Sequence, residues 1–521
     1  MLKENYEYEM TEIDRLVFEK LVPPDHYLRQ VKTAIDFEAC RELVRDAYSP
    51  DQGCPAKDPV LLIKLEFLQF HYNLSDREVI AEAQVNVAFR YFLDLPLDET
   101  LPSSSLLSQF RTRLGPERHQ AVFDEVIRQG REHGLIKDRL RLKDATHIIA
   151  DVAIPSTLAL VAQVRQRLLA ALRPYAPQRV AEEEEKAATI RTVTADLKDD
   201  ERLAQRVAHL RQIVAWAEEE VAGPGPVAEA DDRPRQALEE ALNLAHKVLA
   251  DRADPQASDR VRSAVDPDAR RGKHGQYYDG YQLDILVDSE SEFVTALEIL
   301  PGNGDEAADS EALLKHEEEA QGNTVAELST DGILSSRGEV LRTLEDPEKV
   351  GVRVYAPPPV KTCPEGYFSP EQFSLDETEE VLTCPAGQQS QSRYPNTHGS
   401  GWRFQFRRSQ CRECPLLAQC MPRLPAKHGR TVTKNIYQPE YDRLRSRAQT
   451  ERYREVRREH PKVERKLSEI VRRHGGRRTR YRGRERVKIQ YLWLGIVVNI
   501  KRMVKLLSQT PTVAGPVGVG V

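Results

Sequence analysis

The chain has 521 residues, 40% of them apolar and 30% charged, with a formal net charge of −6. That length allows roughly three to four domains. No apolar run approaches the ~20 residues of a membrane helix, and residues 491–500 are the best candidate. The start, MLKENYEYEM, has neither the basic nor the apolar part of a secretion signal, so a soluble cytoplasmic protein with no membrane partner is expected.

Residues 1–136 read as consecutive helices. Leu61, Leu62, Leu65 and Leu68, with Gln69, predict a largely apolar helix ending near Asn73, and Ser75 with Glu78 three residues later is a capping-box start for the next. Further helices are predicted over 104–114 and 117–133, the second ended by Gly134. The short helix–turn–helix spacing is compatible with docking a helix in a DNA groove, and equally with helices that only pack together.

Residues 137–155 open an α/β core with a β-type run, 142–154, that carries Asp144 and is stopped by Pro155. Residues 156–270 turn helical and charged and read as a helical insertion. Its run Glu182-Glu-Glu-Glu185 reads as a solvated face, and Gly223-Pro-Gly-Pro226 as a break. The core resumes over 271–356. It has a hairpin of strands at 281–288 and 292–300 closed off by Pro301-Gly-Asn-Gly304, a helix at 310–321, a strand at 324–330 stopped by Asp331-Gly332, another helix, and a strand at 352–355. That order predicts a mixed α/β sheet.

Residues 357–435 are rich in proline and cysteine. Seven cysteines, mostly clustered, fit a metal site in a reducing compartment better than a disulfide scaffold. Cys384, Cys411, Cys414 and Cys420 are predicted to hold a structural Zn²⁺ in a small ribbon-like insertion, with Cys363 as a substitute ligand. Cys40 and Cys54 read as ordinary thiols.

Residues 436–510 are basic helices, and 511–521 a flexible tail. Between positions 423 and 505 there are 26 Lys and Arg against 8 Asp and Glu, so this block is strongly positive in a chain that is negative overall. A segregated positive block fits a polyphosphate partner, because each neutralised phosphate releases counterions. Arg457, Arg458, Arg472, Arg473, Arg477, Arg478, Arg480 and Arg482 are the candidate phosphate contacts; the alternative is a solvated helix face. Inside the block, Pro461 starts and Gly475-Gly476 ends a helix whose buried face is Val463, Leu467, Ile470 and Val471. Projected at about 100° per residue, Glu464 falls on the edge of that apolar stripe, while Arg465, Lys466, Glu469, Arg472 and Arg473 fall outside it. Asp144, Asp331 and Glu464 thus stand out as acids at strand ends and on a helix. Three converging carboxylates bind Mg²⁺ through oxygen, and two ions can clamp the attacking and leaving oxygens of a phosphodiester.

The chain resembles the bacterial insertion-sequence transposases of the DDE type, in the subgroup with a helical amino-terminal domain and a cysteine-bearing insertion. The resemblance rests on Pro23-Pro-Asp-His-Tyr-Leu-Arg29, Leu74-Ser-Asp-Arg77, Phe89-Arg-Tyr-Phe92, Asp144-Ala-Thr146, Tyr278-Asp-Gly-Tyr281 and Pro301-Gly-Asn303. It continues through Cys384-Pro-Ala-Gly, Cys411-x-x-Cys-Pro-Leu, Tyr481-Arg-Gly483 and Asn499-Ile-Lys-Arg502. It implies a ribonuclease H-like core in which Asp144, not Asp151, is the first catalytic acid, Asp331 the second and Glu464 the third, together holding Mg²⁺ or Mn²⁺. His460 stands where relatives have an Arg, and Ile333 where they have an aromatic; Glu469, with Arg465 four residues before it, is the runner-up third acid. Trp402 would stack a base extruded near the cut. The implied partner is double-stranded DNA, both the element's terminal inverted repeats and the target, bound by a dimer at the nucleoid. Two other readings are a catalytically inactive, transposase-derived DNA-binding regulator and a zinc-stabilised nuclease without strand transfer.

Overall fold

This computed structural model describes residues 2–3, 6, 8–50, 53–222, 232–359, 366–378, 380–396, 400–423, 425 and 427–509. The chain folds into two compact units: residues 1–137, 145–306 and 463–521 make the first, and residues 138–144 and 307–462 the second. Cys363, the break at 223–226 and the tail from 511 lie outside the described residues.

The first unit opens with the expected helices. Helix Pro59–His71 starts on a proline at its first turn, with Asp58 Oδ1 accepting from Val60 N at 3.0 Å, and is buried on almost every side. The next helix, Asp76–Val85, begins with the complete capping box: Ser75 Oγ accepts from Glu78 N at 3.2 Å, and Glu78 Oε2 from Ser75 N at 2.7 Å. The run Ser104–Glu132 is two helices broken at Gly115 (φ 65°) and Pro116, as the sequence predicts. The run 491–500, too short to cross a membrane, lies in helix Arg484–Gln509, the centre of this unit. It packs on Ser104–Glu132 and Pro59–His71, with Trp493 stacked on Phe70 at 6.2 Å. A Cβ on Gly495 would come within 2.7 Å of Phe123, so only glycine allows that approach. Among the described residues no helix is long and apolar enough to cross a membrane.

Strand β1 (Leu140–Ile149) is divided between the units, and its residues from Ala145 belong to the first. Beside it in that unit is β3 (Gln276–Asp288), which pairs antiparallel with β2 (Arg270–His274) and then with β4 (Val294–Pro301). Buried Asn499 of the long helix holds β4 by both polar groups: Nδ2 donates to Val294 O and Oδ1 accepts from Val294 N, each at 2.8 Å. The sequence expectation that β1 runs to residue 154 is corrected. After Ile149 the backbone turns to the loop at 477–479, with Ile149 N donating to Arg477 O at 2.9 Å and Asp151 N to Thr479 Oγ1 at 3.0 Å. The helical insertion, Thr157–Leu172, Pro177–Val193, Asp199–Ala222 and Asp232–Ala253, closes on a core of its own that includes Leu168, Leu172, Leu210, Ile213, Trp216 and Leu238.

In the second unit, the start of β1 pairs in parallel with β5 (Glu327–Ser329), and β5 in parallel with β6 (Arg353–Tyr355). Helix Ser310–Gln321 is tied to β1 by a fully buried ion pair in which Arg141 Nε and Nη2 donate to Glu317 Oε1 at 2.9 and 2.6 Å. The cysteine-rich segment adds a small antiparallel sheet, Ser392–Pro395, Gly401–Gln405 and Thr431–Asn435, over a core of Phe373, Leu382, Phe404, Phe406 and Val432. Parallel and antiparallel strands with helices make the mixed α/β class that the sequence predicts.

Candidate active site

In the second unit, β1 and β5 run in parallel with Leu140 opposite Glu327 and Leu142 opposite Ser329. Asp144 lies two residues beyond Leu142 on β1, and Asp331 two residues beyond Ser329, just past the end of β5. Asp144 is half-buried and Asp331 exposed. Asp331 also caps the short turn Gly332–Ser336, its Oδ1 accepting from Ile333 N at 2.9 Å.

Helix Glu451–Glu459 and the residue after it fasten β5 at both ends. At its start, Arg452 pairs with Glu327, whose Oε1 also accepts from Tyr355 Oη at 2.9 Å. At its finish, Arg457 Nη1 donates to Thr330 O at 2.6 Å, and His460 Nδ1 lies 3.1 Å from Ser329 Oγ. Burial, then the charge of Arg457, pushes His460 down to about 4 against the pull of Asp331. The ring is therefore neutral near pH 7. Arg457 and His460 are the residues that sequence reasoning undervalued: one was read only as a phosphate contact and the other only as a departure, although their three-residue spacing puts them on one helix face.

Helix Pro461–Arg473, in the first unit from Val463 on, is oriented differently from its projection. Lys466, expected outside, is buried at 4% exposure, and Glu464, expected at the inner edge, is exposed with no hydrogen-bond or ion-pair partner among the described residues. The cause is Glu469. It accepts from Lys466 Nζ at 3.0 Å and from Lys501 Nζ of the long helix at 2.6 Å, which draws that side of the helix inward. Burial opposes ionisation of Glu469, but the two ammonium groups outweigh it and bring the carboxyl down to about 2. Glu469 is thus neutralised twice over, and Glu464 is open.

The arginines divide as well. Arg477 donates to Thr146 Oγ1 at 3.4 Å and to His147 O, and Arg480 to Leu74 O at 2.7 Å and to Asn73, with its guanidinium 5.0 Å from the Phe70 ring centre. Arg458, Arg472, Arg473, Arg478 and Arg482 are exposed. Trp402 is half-buried against the small core, with Arg393 stacked 4.2 Å from its ring centre.

Cys384, Cys411, Cys414 and Cys420 are all free thiols and line one cavity of about 30 Å³, walled by Phe373, Phe406, Met421 and Arg430. Arg430 N donates to Cys411 Sγ at 3.2 Å, and a Cβ on Gly429 would strike that sulfur at 2.5 Å, so glycine is required there. Burial pushes the Cys411 and Cys420 thiols up. Among the described residues no group of three or more His, Cys, Asp or Glu is drawn together closely enough to hold a metal ion as it stands. Cys40 is buried and Cys54 exposed, both free.

Two family models match the chain. The family described as Transposase domain (DUF772) matches residues 16–113, the amino-terminal helices, and the family described as Transposase DDE domain matches residues 383–504, from the cysteines through Glu464 to the long helix. No curated protein and no solved structure gives a match. Two transposase domains on one chain support an insertion-sequence transposase of the DDE type, and the DDE domain family implies an enzyme that cuts and joins DNA with divalent metal ions.

Proposed function

We propose that this transposase cleaves DNA at the ends of its own insertion sequence and joins the freed 3′-OH to target DNA, with Asp144, Asp331 and Glu464 as the carboxylates that hold Mg²⁺ or Mn²⁺. The observation that supports the reading is the parallel register of β1 and β5, with Leu142 opposite Ser329 and Asp144 and Asp331 each two residues further along the chain. The donor set suits a hard divalent cation: Asp144 on β1, Asp331 just past the end of β5, and Glu464, which no cation among the described residues pairs with. A bound divalent ion supplies charge neutralisation at the attacking and leaving oxygens of the phosphodiester. What the chain's own residues do is positional. Arg457 and His460 fix the strand end bearing Asp331, and Arg458, Arg472, Arg473, Arg478 and Arg482 supply exposed positive charge for DNA phosphates.

Glu464 is preferred to Glu469 because a carboxylate already paired with two lysines would have to leave both before binding a metal. Four cysteines around one small cavity support a structural Zn²⁺ that staples the cysteine-rich segment. Arg477 and Arg480 serve the chain's own backbone, and Trp402, one face covered by Arg393, must shed that arginine before any base can stack there.

The test is incubation of the full chain with Mg²⁺, a labelled duplex carrying the element's ends and an unlabelled target plasmid. Cleaved ends that become covalently joined to the plasmid are the expected result. Cutting without joining would leave a nuclease, and binding without cutting in Mg²⁺ or Mn²⁺ would leave a regulator.

A further inference from the structure

Strands β2 and β3 form a ribbon closed by a two-sided turn at Gly275 (φ 68°), with His274 opposite Gln276, Lys273 opposite Tyr277 and Gly272 opposite Tyr278. From Arg270 to Tyr278 the ribbon carries Arg270, Arg271, Lys273 and His274 and no acid; the first acid is Asp279. Arg270 and Arg271 are engaged at the base, with Asp259 and Asp279 respectively. The tip is different: Lys273, His274, Gln276 and Tyr277 are all exposed, and Lys273 has no ion-pair partner among the described residues.

Two features mark this tip as more than a solvated turn. Tyr277 is 69% exposed, and its ring has the Arg271 guanidinium at 5.9 Å and the Lys273 ammonium at 5.7 Å, so an aromatic face stands out flanked by cations. The ribbon is also braced. A Cβ on Gly272 would meet Gly302 O at 2.1 Å and the Tyr278 ring at 2.5 Å, one on Gly280 would meet Ile148 O at 2.0 Å, and Tyr278 Oη donates to Gly302 O at 2.9 Å. His274 lies against His147 at 4.9 Å between ring centres, in the strand that three residues earlier carries Asp144. The tip is held in place, positive and aromatic, beside the part of β1 that belongs to this unit.

We infer that the β2–β3 ribbon is a second DNA-contacting element, in which Lys273 binds a backbone phosphate and Tyr277 packs its ring on a sugar or base of the bound duplex. This rests on the reading of the chain as an enzyme acting on DNA. A two-stranded ribbon fits the major groove, and aromatic rings with adjacent cations suit nucleic acid because every nucleotide offers both a flat face and a phosphate.

The test is fluorescence anisotropy of the full chain with a labelled duplex carrying the element's end, repeated over a range of salt. Wild type is compared with Lys273→Ala, Tyr277→Ala, Tyr277→Phe and, as a control on the helical insertion, Lys198→Ala. Lys273→Ala is expected to reduce the log–log salt slope by about 1. Tyr277→Ala is expected to weaken binding about fivefold or more, Tyr277→Phe to restore it, and Lys198→Ala to change nothing. Unchanged affinity and slope in Lys273→Ala and Tyr277→Ala, with wild type binding normally, would overturn the ribbon inference alone. A wild type that binds no duplex would overturn the DNA reading and the ribbon with it.

Discussion

At the scale of single residues, the contrast between Glu464 and Glu469 governs the reading. Both lie in a helix dense with arginine, and sequence spacing alone permits either as third acid. Their surroundings separate them, since Glu469 is locked between Lys466 and Lys501 and Glu464 faces solvent. Burial pushes the Lys466 ammonium down while Glu469 resists, which is the expected balance for the more buried partner of the pair. Glu469→Gln leaves Lys466 buried without a counter-charge and is expected to cost about 2–3 kcal/mol at neutral pH, measured by denaturant unfolding. The folded carboxyl is held at about 2 against an ordinary 4.5, so its contribution is complete above the ordinary value and lost as pH falls from there toward about 2. The gap between wild type and Glu469→Gln is therefore expected to narrow on acidification through that window. Arg457 makes a second residue-scale case. Arg457→Ala frees the carbonyl of Thr330 next to Asp331, and cleavage is expected to slow by on the order of ten- to a hundredfold while duplex affinity falls far less. Equal losses in both would return Arg457 to a plain phosphate contact.

At the scale of elements, the buried core cluster among the described residues of the cysteine-rich segment has five members, little apolar burial for a segment of its length. On the proposed reading, a metal staple at the four-thiol cavity would supply stability there. Purified protein is expected to carry about one Zn²⁺ per chain, and Cys411→Ser with Cys414→Ser to lose the metal and make this segment the first site of proteolysis. A metal-free wild type with the same protease resistance would remove zinc from the account. The elements also show what a single sequence conveys. Helix Ser310–Gln321, the break at Gly115-Pro116, the capping box at Ser75 and the β3–β4 hairpin were legible because caps, glycine–proline pairs and alternating apolar residues are local signals. β2 was not, because Arg-Arg-Gly-Lys-His has no apolar alternation and owes its strand form to pairing with β3. The facing of helix Pro461–Arg473 was misread because an ion pair 32 residues away, Lys501 with Glu469, outweighs the apolar stripe in setting which side is buried.

At the scale of the whole molecule, chain order scatters the proposed chemistry widely: the first two acids are separated by the helical insertion, and the last two by the cysteine-rich segment. Asp144 and Asp331 were legible only as two strand-end acids; the β1–β5 register that stops two residues before each of them is a non-local pairing that no local pattern encodes. The basic block was legible from charge alone, but its division into exposed arginines and arginines spent on the chain required coordinates. Cleavage of a labelled duplex bearing the element's ends, in Mg²⁺ and again in Mn²⁺, tests the central claim most directly when wild type is set beside Asp144→Asn, Asp331→Asn, Glu464→Gln and Glu469→Gln at matched folded concentration. Cutting is expected to fall by at least three orders of magnitude in the first three, on the order of what a metal ligand supplies, and to persist in the fourth. Full cutting by Glu464→Gln together with none by folded Glu469→Gln would contradict the assignment and move the third carboxylate into the pair with Lys466 and Lys501.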